Sequence, residues 1–233
     1  MSVSPCYIFV LCVAKHSRGI VHRAFLSGSY DKHVRVFNHQ QELLYDIEGH
    51  SAPISAVTWV APDISGKQLI ASASYDTTAR LIELPEGGSP TTLATLHLHT
   101  SPIASITANA SGTHLLTAGW DSLVGLWGID IPSLDEVPLE FALEPTRKRR
   151  RILSEGAPPR KAPTTVLQSH TARVSKALFS ANDDGKAYSA GWDCTMRSWD
   201  LEVGLCTNIT VSHDIPWPTA LKSNAYPRYL QNE

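Results

Sequence analysis

Residues 188–200 read YSAGWDCTMRSWD. A hydroxyl side chain, Ser189, is followed four positions on by an aspartate, Asp193, and six positions after that by a tryptophan, Trp199. Three earlier stretches fit the same template: LSGSYDKHVRVF at 26–37 with Asp31, ASASYDTTARLI at 71–82 with Asp76, and LTAGWDSLVGLW at 116–127 with Asp121. Four matches to one template mark an internal repeat, and a repeat decides the architecture before any single segment does.

The spacing of the aspartates gives the size of the unit. Asp31 to Asp76 and Asp76 to Asp121 are each 45 residues, and Asp121 to Asp193 is 72. A period near 45 residues is that of a four-stranded propeller blade. Each unit breaks into short apolar or β-branched runs separated by turn residues. The second unit predicts strands over 54–59, 69–74, 79–83 and 91–96, and the third over 103–108, 114–119 and 124–127, with its last strand delayed to about 165–168. The fourth predicts strands over 174–179, 186–190, 195–199 and 207–211. The apolar run 7–14 is too short to cross a bilayer and follows no basic residue, so it reads as a strand and not as a targeting segment. The expected architecture is an all-β propeller of four readable blades, about 7–48, 49–97, 98–169 and 170–212. A stub at 213–233 begins another repeat at His213.

The delayed strand exposes an insertion, 129–163, in the connection between third and fourth strands. It opens with five acidic residues (Asp130, Asp135, Glu136, Glu140, Glu144) ahead of Arg147, Lys148, Arg149, Arg150 and Arg151, and ends in the proline-rich APPRKAP. No apolar periodicity survives there, and the span is expected to be disordered. The basic run is a candidate nuclear-import or nucleic-acid patch, with a solvated charged loop as the plainer alternative.

Bulk composition narrows the function classes. With 233 residues and 42% hydrophobic content the chain can bury a sizeable core. A formal charge of -2 and a pI near 6.5 give no global attraction to nucleic acid or membrane, so such a contact has to come from a local patch. The four cysteines, Cys6, Cys12, Cys194 and Cys206, form no C-x-x-C pair and read as free thiols in a reducing compartment, with no metal or cofactor expected.

A histidine precedes the first strand of three repeats: His50, His99 and His170 stand 26, 22 and 23 residues before their aspartates. With the hydroxyl four residues before each aspartate (Ser27, Ser72, Thr117, Ser189) they make a recurring Ser/Thr, His and Asp set. A hydrolase site occurs once, at a special turn, whereas this set recurs blade after blade; a buried hydrogen-bond chain is the expected role. Two blades hold a full tetrad, His99, Thr117, Asp121 and Trp127, then His170, Ser189, Asp193 and Trp199. The others are partial: Ser27, Asp31 and Phe37, with Phe9 where a histidine belongs, and His50, Ser72, Asp76 and Ile82.

The residue before each aspartate is aromatic: Tyr30, Tyr75, Trp120 and Trp192. Antiparallel connectivity puts these turns at one end of the blades, while the basic insertion leaves from the other. Tyr and Trp clustered on a rigid face suit a protein-binding hot spot, although core packing and base stacking are alternative uses.

The hydroxyl-x3-Asp-x5-Trp spacing with an upstream histidine, over most of 25–213, resembles the WD-repeat family. GSYDKHVRVF, the two AGWD turns and a basic insertion after LVGLW resemble more closely the WD-repeat subunit of the large-ribosomal-subunit assembly complex PeBoW. That resemblance implies a nucleolar and nucleoplasmic, non-enzymatic scaffold for large-subunit rRNA maturation. It implies Pescadillo-type and Bop-type proteins and pre-ribosomal particles as partners, with no membrane and no small-molecule substrate. Members of that group carry about seven blades and an N-terminal ubiquitin-like domain that engages the ATPase midasin. Neither is readable here, so a truncated, poorly soluble propeller with exposed strand edges is expected. A substrate receptor of a ubiquitin ligase and a direct RNA binder are the alternatives.

Overall fold

Strand-forming runs joined by tight turns build four antiparallel sheets in chain order. The computed structural model describes residues 8–13, 24–61, 67–85, 87–132, 135–136 and 158–211, and among the described residues there is no helix. Sheet 1 is β1 (Ile8–Val13), β2 (Phe25–Ser29), β3 (Val34–Phe37) and β4 (Leu43–Ile47). Sheet 2 holds β5 (Ile54–Val60), β6 (Gln68–Ser74), β7 (Thr78–Leu84) and β8 (Thr91–His97). Sheet 3 holds β9 (Ile103–Ala108), β10 (His114–Gly119), β11 (Leu123–Gly128) and, past the insertion, β13 (Thr165–Gln168). Sheet 4 is β14 (Val174–Phe179), β15 (Lys186–Gly191), β16 (Thr195–Asp200) and β17 (Leu205–Val211). These are four blades of a propeller, all-β as the repeat period requires. The basic run 147–151 and the stretch from His213 onward lie outside the described residues.

The core is three layers pressed between four sheets. Leu26, Val34 and Val36 of sheet 1 pack on Ile54, Val57, Ile70 and Ile82 of sheet 2. Ala71, Ala73, Ala79 and Leu81 meet Ile103, Ile106, Leu115 and Trp127 across the next interface. Leu116, Val124 and Leu167 meet Val174, Ala177, Ala187 and Trp199 across the third. Small residues recur here because two sheets can approach closely only where one side lacks bulk. Each first strand also shows a register shift against its second: between Ile8 and Val10, Ile54 and Ala56, Ala118 and Gly119, and Val174 and Lys176. A bulge at the same place in every blade bends the innermost strand where the histidine connection arrives.

The turn between second and third strands is built identically four times. The residue after each aspartate has positive φ, Lys32 at 77°, Thr77 at 69°, Ser122 at 66° and Cys194 at 56°. Each aspartate caps its own turn, its Oδ1 accepting the N–H two residues on: His33 at 3.1 Å, Thr78 at 3.0 Å, Leu123 at 3.2 Å and Thr195 at 3.2 Å. That side-chain bond lets non-glycine residues hold a left-handed conformation.

The insertion corrects the reading of 129–163 as disordered throughout. Residues Arg160–Lys161 form β12, which joins sheet 2 as a fifth strand parallel to β8, with Arg160 opposite Thr95 and Lys161 opposite Leu96. The acidic residues upstream hold it there. Asp135 Oδ1 accepts from Arg160 N at 2.7 Å, Glu136 Oε2 accepts from Ala162 N at 2.9 Å, and Lys161 Nζ donates to Asp130 O at 2.7 Å and Oδ2 at 2.9 Å. Thr95 N donates to Pro159 O, so the proline-rich end of the insertion covers the outer edge of sheet 2.

Candidate functional site

Each blade histidine lies four residues before its first strand, buried, where the chain crosses from one blade to the next. In blade 3, His99 Nδ1 lies 3.0 Å from both Asp121 carboxylate oxygens and Nε2 lies 2.8 Å from Thr117 Oγ1, while Trp127 Nε1 donates to the same hydroxyl at 2.9 Å. In blade 4, His170 Nδ1 is 2.8 Å from Asp193 Oδ2 and Nε2 is 2.7 Å from Ser189 Oγ, and Trp199 Nε1 donates to Ser189 Oγ at 2.8 Å. The proton order is fixed by this geometry: indole N–H to hydroxyl, hydroxyl to Nε2, Nδ1–H to carboxylate. Blade 2 brings His50, Ser72 and Asp76 together at 2.9 and 2.8 Å, with buried Ile82 where the indole stands elsewhere. Blade 1 has buried Ser27 and half-buried Phe37, and Asp31 Oδ2 accepts from Arg35 Nη2 at 2.7 Å.

The aspartates also accept the backbone N–H after each histidine, Ser51 at 2.9 Å, Thr100 at 2.9 Å and Thr171 at 3.1 Å. One carboxylate thus closes its own turn and clamps the incoming chain. Gly119 and Gly191 of the AGWD turns permit this approach, since a Cβ on either would strike the histidine Nδ1 and the aspartate Oδ1. Burial alone would raise the Asp193 carboxyl, but hydrogen bonds from Thr195, Thr171 N–H and His170 outweigh it and pull the pKa down to about 2. Burial pushes the His170 imidazole below its ordinary value against the pull of Asp193, and nearby Arg197 adds to the lowering; the ring is neutral. Ser72, Thr117 and Ser189 are completely buried, so none can meet a substrate as a nucleophile. Among the described residues no group of three His, Cys, Asp or Glu is placed to hold a metal.

The surface above these clamps is different in kind. The turn aromatics donate their backbone N–H groups to the residue before each first strand: Tyr75 to Pro53 O at 3.0 Å, Trp120 to Pro102 O at 2.9 Å, Trp192 to Arg173 O at 2.8 Å. Their rings stand outward: Tyr75 is 41% exposed, Trp192 49%, and Trp120 half-buried. Tyr75 and Trp120 have ring centroids 5.5 Å apart, tilted by 48°. The Arg173 guanidinium carbon lies 4.6 Å from the Trp120 ring centroid and 5.7 Å from that of Trp192. Tyr75, Trp120, Arg173 and Trp192 therefore form one line across three blades. Tyr30, 57% exposed, holds the matching turn of blade 1.

Two sets of residues fall outside the repeat template. Arg35, Arg80 and Arg197 stand four residues after their aspartates, and Arg197 Nη2 lies 3.3 Å from Asp193 Oδ2. The spacing D-x3-R is visible in three repeats; the fourth has Gly125, where a Cβ would press on Thr117 Oγ1 and Trp127 Nε1. Arg173 is the other, three residues after its histidine, where the second and third repeats carry Pro53 and Pro102.

Residues 41–83, 90–128 and 161–200 match the family described as WD domain, G-beta repeat. The chain belongs to the WD-repeat family. Its WD repeats are similar to three fungal proteins that each bear the name Ribosome biogenesis protein YTM1. That of Laccaria bicolor is 44% identical over 207 residues, covering 84% of this chain and 46% of the relative. That of Coprinopsis cinerea is 41% identical over 207 residues, covering 83% and 46%. That of Aspergillus fumigatus is 38% identical over 204 residues, covering 82% and 41%. This WD-repeat chain spans less than half the length of these relatives.

Proposed function

We propose that the chain is a non-enzymatic protein-interaction scaffold of ribosome biogenesis, and that a protein partner docks on the face carrying Tyr30, Tyr75, Trp120 and Trp192. The observation that carries this reading is the line of outward-standing rings fixed on turns that are themselves locked by their aspartates. Rigid Tyr and Trp side chains lose little conformational entropy on binding, and together with Arg they dominate interface energetics. The name borne by the similar fungal proteins supports the pathway. Pescadillo-type and Bop-type proteins are the proposed partners, the nucleolus and nucleoplasm the proposed location, and the run 147–151 the proposed import signal. The test is affinity capture with the tagged 233-residue chain. Pescadillo-type and Bop-type proteins should co-purify, and the double variant Trp120→Ala, Trp192→Ala should reduce recovery by about tenfold or more while still melting cooperatively above the capture temperature. Capture of neither protein, or full capture by the double variant, removes the reading. Deleting 147–151 should reduce nuclear accumulation of a fluorescent fusion.

A further inference from the structure

We propose that Arg173 is the anion-recognising centre of the aromatic face, and that the segment docking there is acidic, presenting an Asp or Glu carboxylate of a partner polypeptide. The inference rests on the reading that this face takes a protein, and adds the chemistry of what it takes.

Three observations carry it. First, Arg173 is exposed yet held in place: its guanidinium lies within cation–π range of both Trp120 and Trp192, and its backbone carbonyl accepts the Trp192 N–H. An arginine positioned by stacking keeps its N–H edge for a planar partner, and that edge matches the two oxygens of a carboxylate. Second, among the described residues no carboxylate pairs with Arg173. The turn arginines of blades 1 and 4 are paired with acids: Arg35 with Asp31 and Asp46, and Arg197 with Asp193. The Asp121 and Asp193 carboxylates below the face are taken by His99 and Thr100, and by His170, Thr171 and Arg197. Third, the matching positions in blades 2 and 3 are Pro53 and Pro102, so across blades 2 to 4 Arg173 is the one cation of this row, flanked by apolar surface. A nucleic acid draws its affinity from many phosphate contacts at once, which a single arginine does not offer. One carboxylate beside an apolar or aromatic side chain fits both halves of the site, the second half lying against Tyr75 and Trp120.

The test titrates the full chain with the acetylated, amidated peptides EEFEE and QQFQQ, following the indole N–H signals of Trp120 and Trp192 by NMR. The glutamate peptide should move both signals and bind about tenfold more tightly than the glutamine peptide, as a charge-assisted pair warrants. Arg173→Gln should bring that ratio to about one, and Arg173→Lys should leave it in between, because an ammonium keeps the charge and loses the fork. Both variants alter an exposed side chain and should melt as the parent does. Equal affinity of the two peptides for the parent chain, or a ratio that survives Arg173→Gln, overturns the proposal. So does Arg173-dependent binding of a phosphoserine peptide or a uridine decamer when EEFEE fails to bind. If the Glu-to-Gln discrimination fails while Pescadillo-type and Bop-type capture persists, the acidic ligand is wrong and the docking face stands. If capture fails while discrimination persists, the partner assignment is wrong and the anion site stands.

Discussion

Thr117 and Ser72 occupy the same repeat position but carry different loads. The Thr117 hydroxyl bridges an indole N–H and an imidazole, both buried, whereas Ser72 serves only His50 because Ile82 replaces the indole. Thr117→Val keeps the shape and strands a buried donor as well as an acceptor, so it should cost about 2–3 kcal/mol, against about 1 kcal/mol for Ser72→Ala. The denaturant midpoints of the two variants measure the difference; equal losses would show that the indole bond contributes nothing. The clamp also dictates pH dependence. The folded His170 imidazole resists protonation, so an unfolded chain takes up a proton that the folded chain refuses, and stability should fall as pH drops below about 6.5. Asp193, with its pKa lowered to about 2, contributes stability fully above its ordinary value of 3.8, and loses it as pH falls from there toward 2. Urea midpoints from pH 7 to 3 should show both declines, and His170→Gln should flatten the first.

At the level of elements, the turn and strand signals of a repeat are local, which is why they were legible. The runs at 103–108, 114–119, 165–168 and 174–179 are strands over those residues, and the other runs of blades 2 to 4 extend by one or two residues at their ends, where pairing continues past the apolar pattern. The tetrad spacing was readable for the same reason. Two features were not. Arg173 meets its two rings only once blades 3 and 4 are stacked, and β12 pairs with residues some 65 positions upstream, so neither leaves a periodic trace. In the insertion, charge density suggested solvation, yet three of its acids spend their oxygens on the β12 strap. Asp135→Ala removes the acceptor of Arg160 N and should release that strand. Hydrogen exchange at Thr95 and Arg160 should then quicken by tenfold or more, while Thr100 and Thr171, held by the blade clamps, should exchange as before. Unchanged protection at Thr95 would mean that Glu136 and the Lys161–Asp130 pair hold the strap without Asp135.

On the scale of the whole molecule, no blade has a core of its own. The three apolar layers lie between sheets, so each blade's stability is shared with its neighbours, as in other stacked-repeat architectures. Polar contacts reinforce the same seams: Tyr45 OH donates to Pro85 O between blades 1 and 2, and Asn109 Nδ2 reaches Asp184 Oδ2 between blades 3 and 4. The outermost strand of blade 4 is the exception. In β17, LCTNITV, every residue but Cys206 is exposed, and Leu205, Ile209 and Val211 are 62%, 50% and 53% exposed. The strand has no charge and no proline, the two devices by which edges repel one another, and such a segment pairs readily with another chain. Self-association of the 233-residue chain through β17 should therefore rise with concentration. Ile209→Lys puts a charge in mid-strand, opposite Arg197, and should shift light-scattering mass toward the monomer at equal concentration. A substitution that leaves the mass distribution untouched would place the association elsewhere, and the exposed pair Leu43 and Leu44 on β4 would be the next edge to charge.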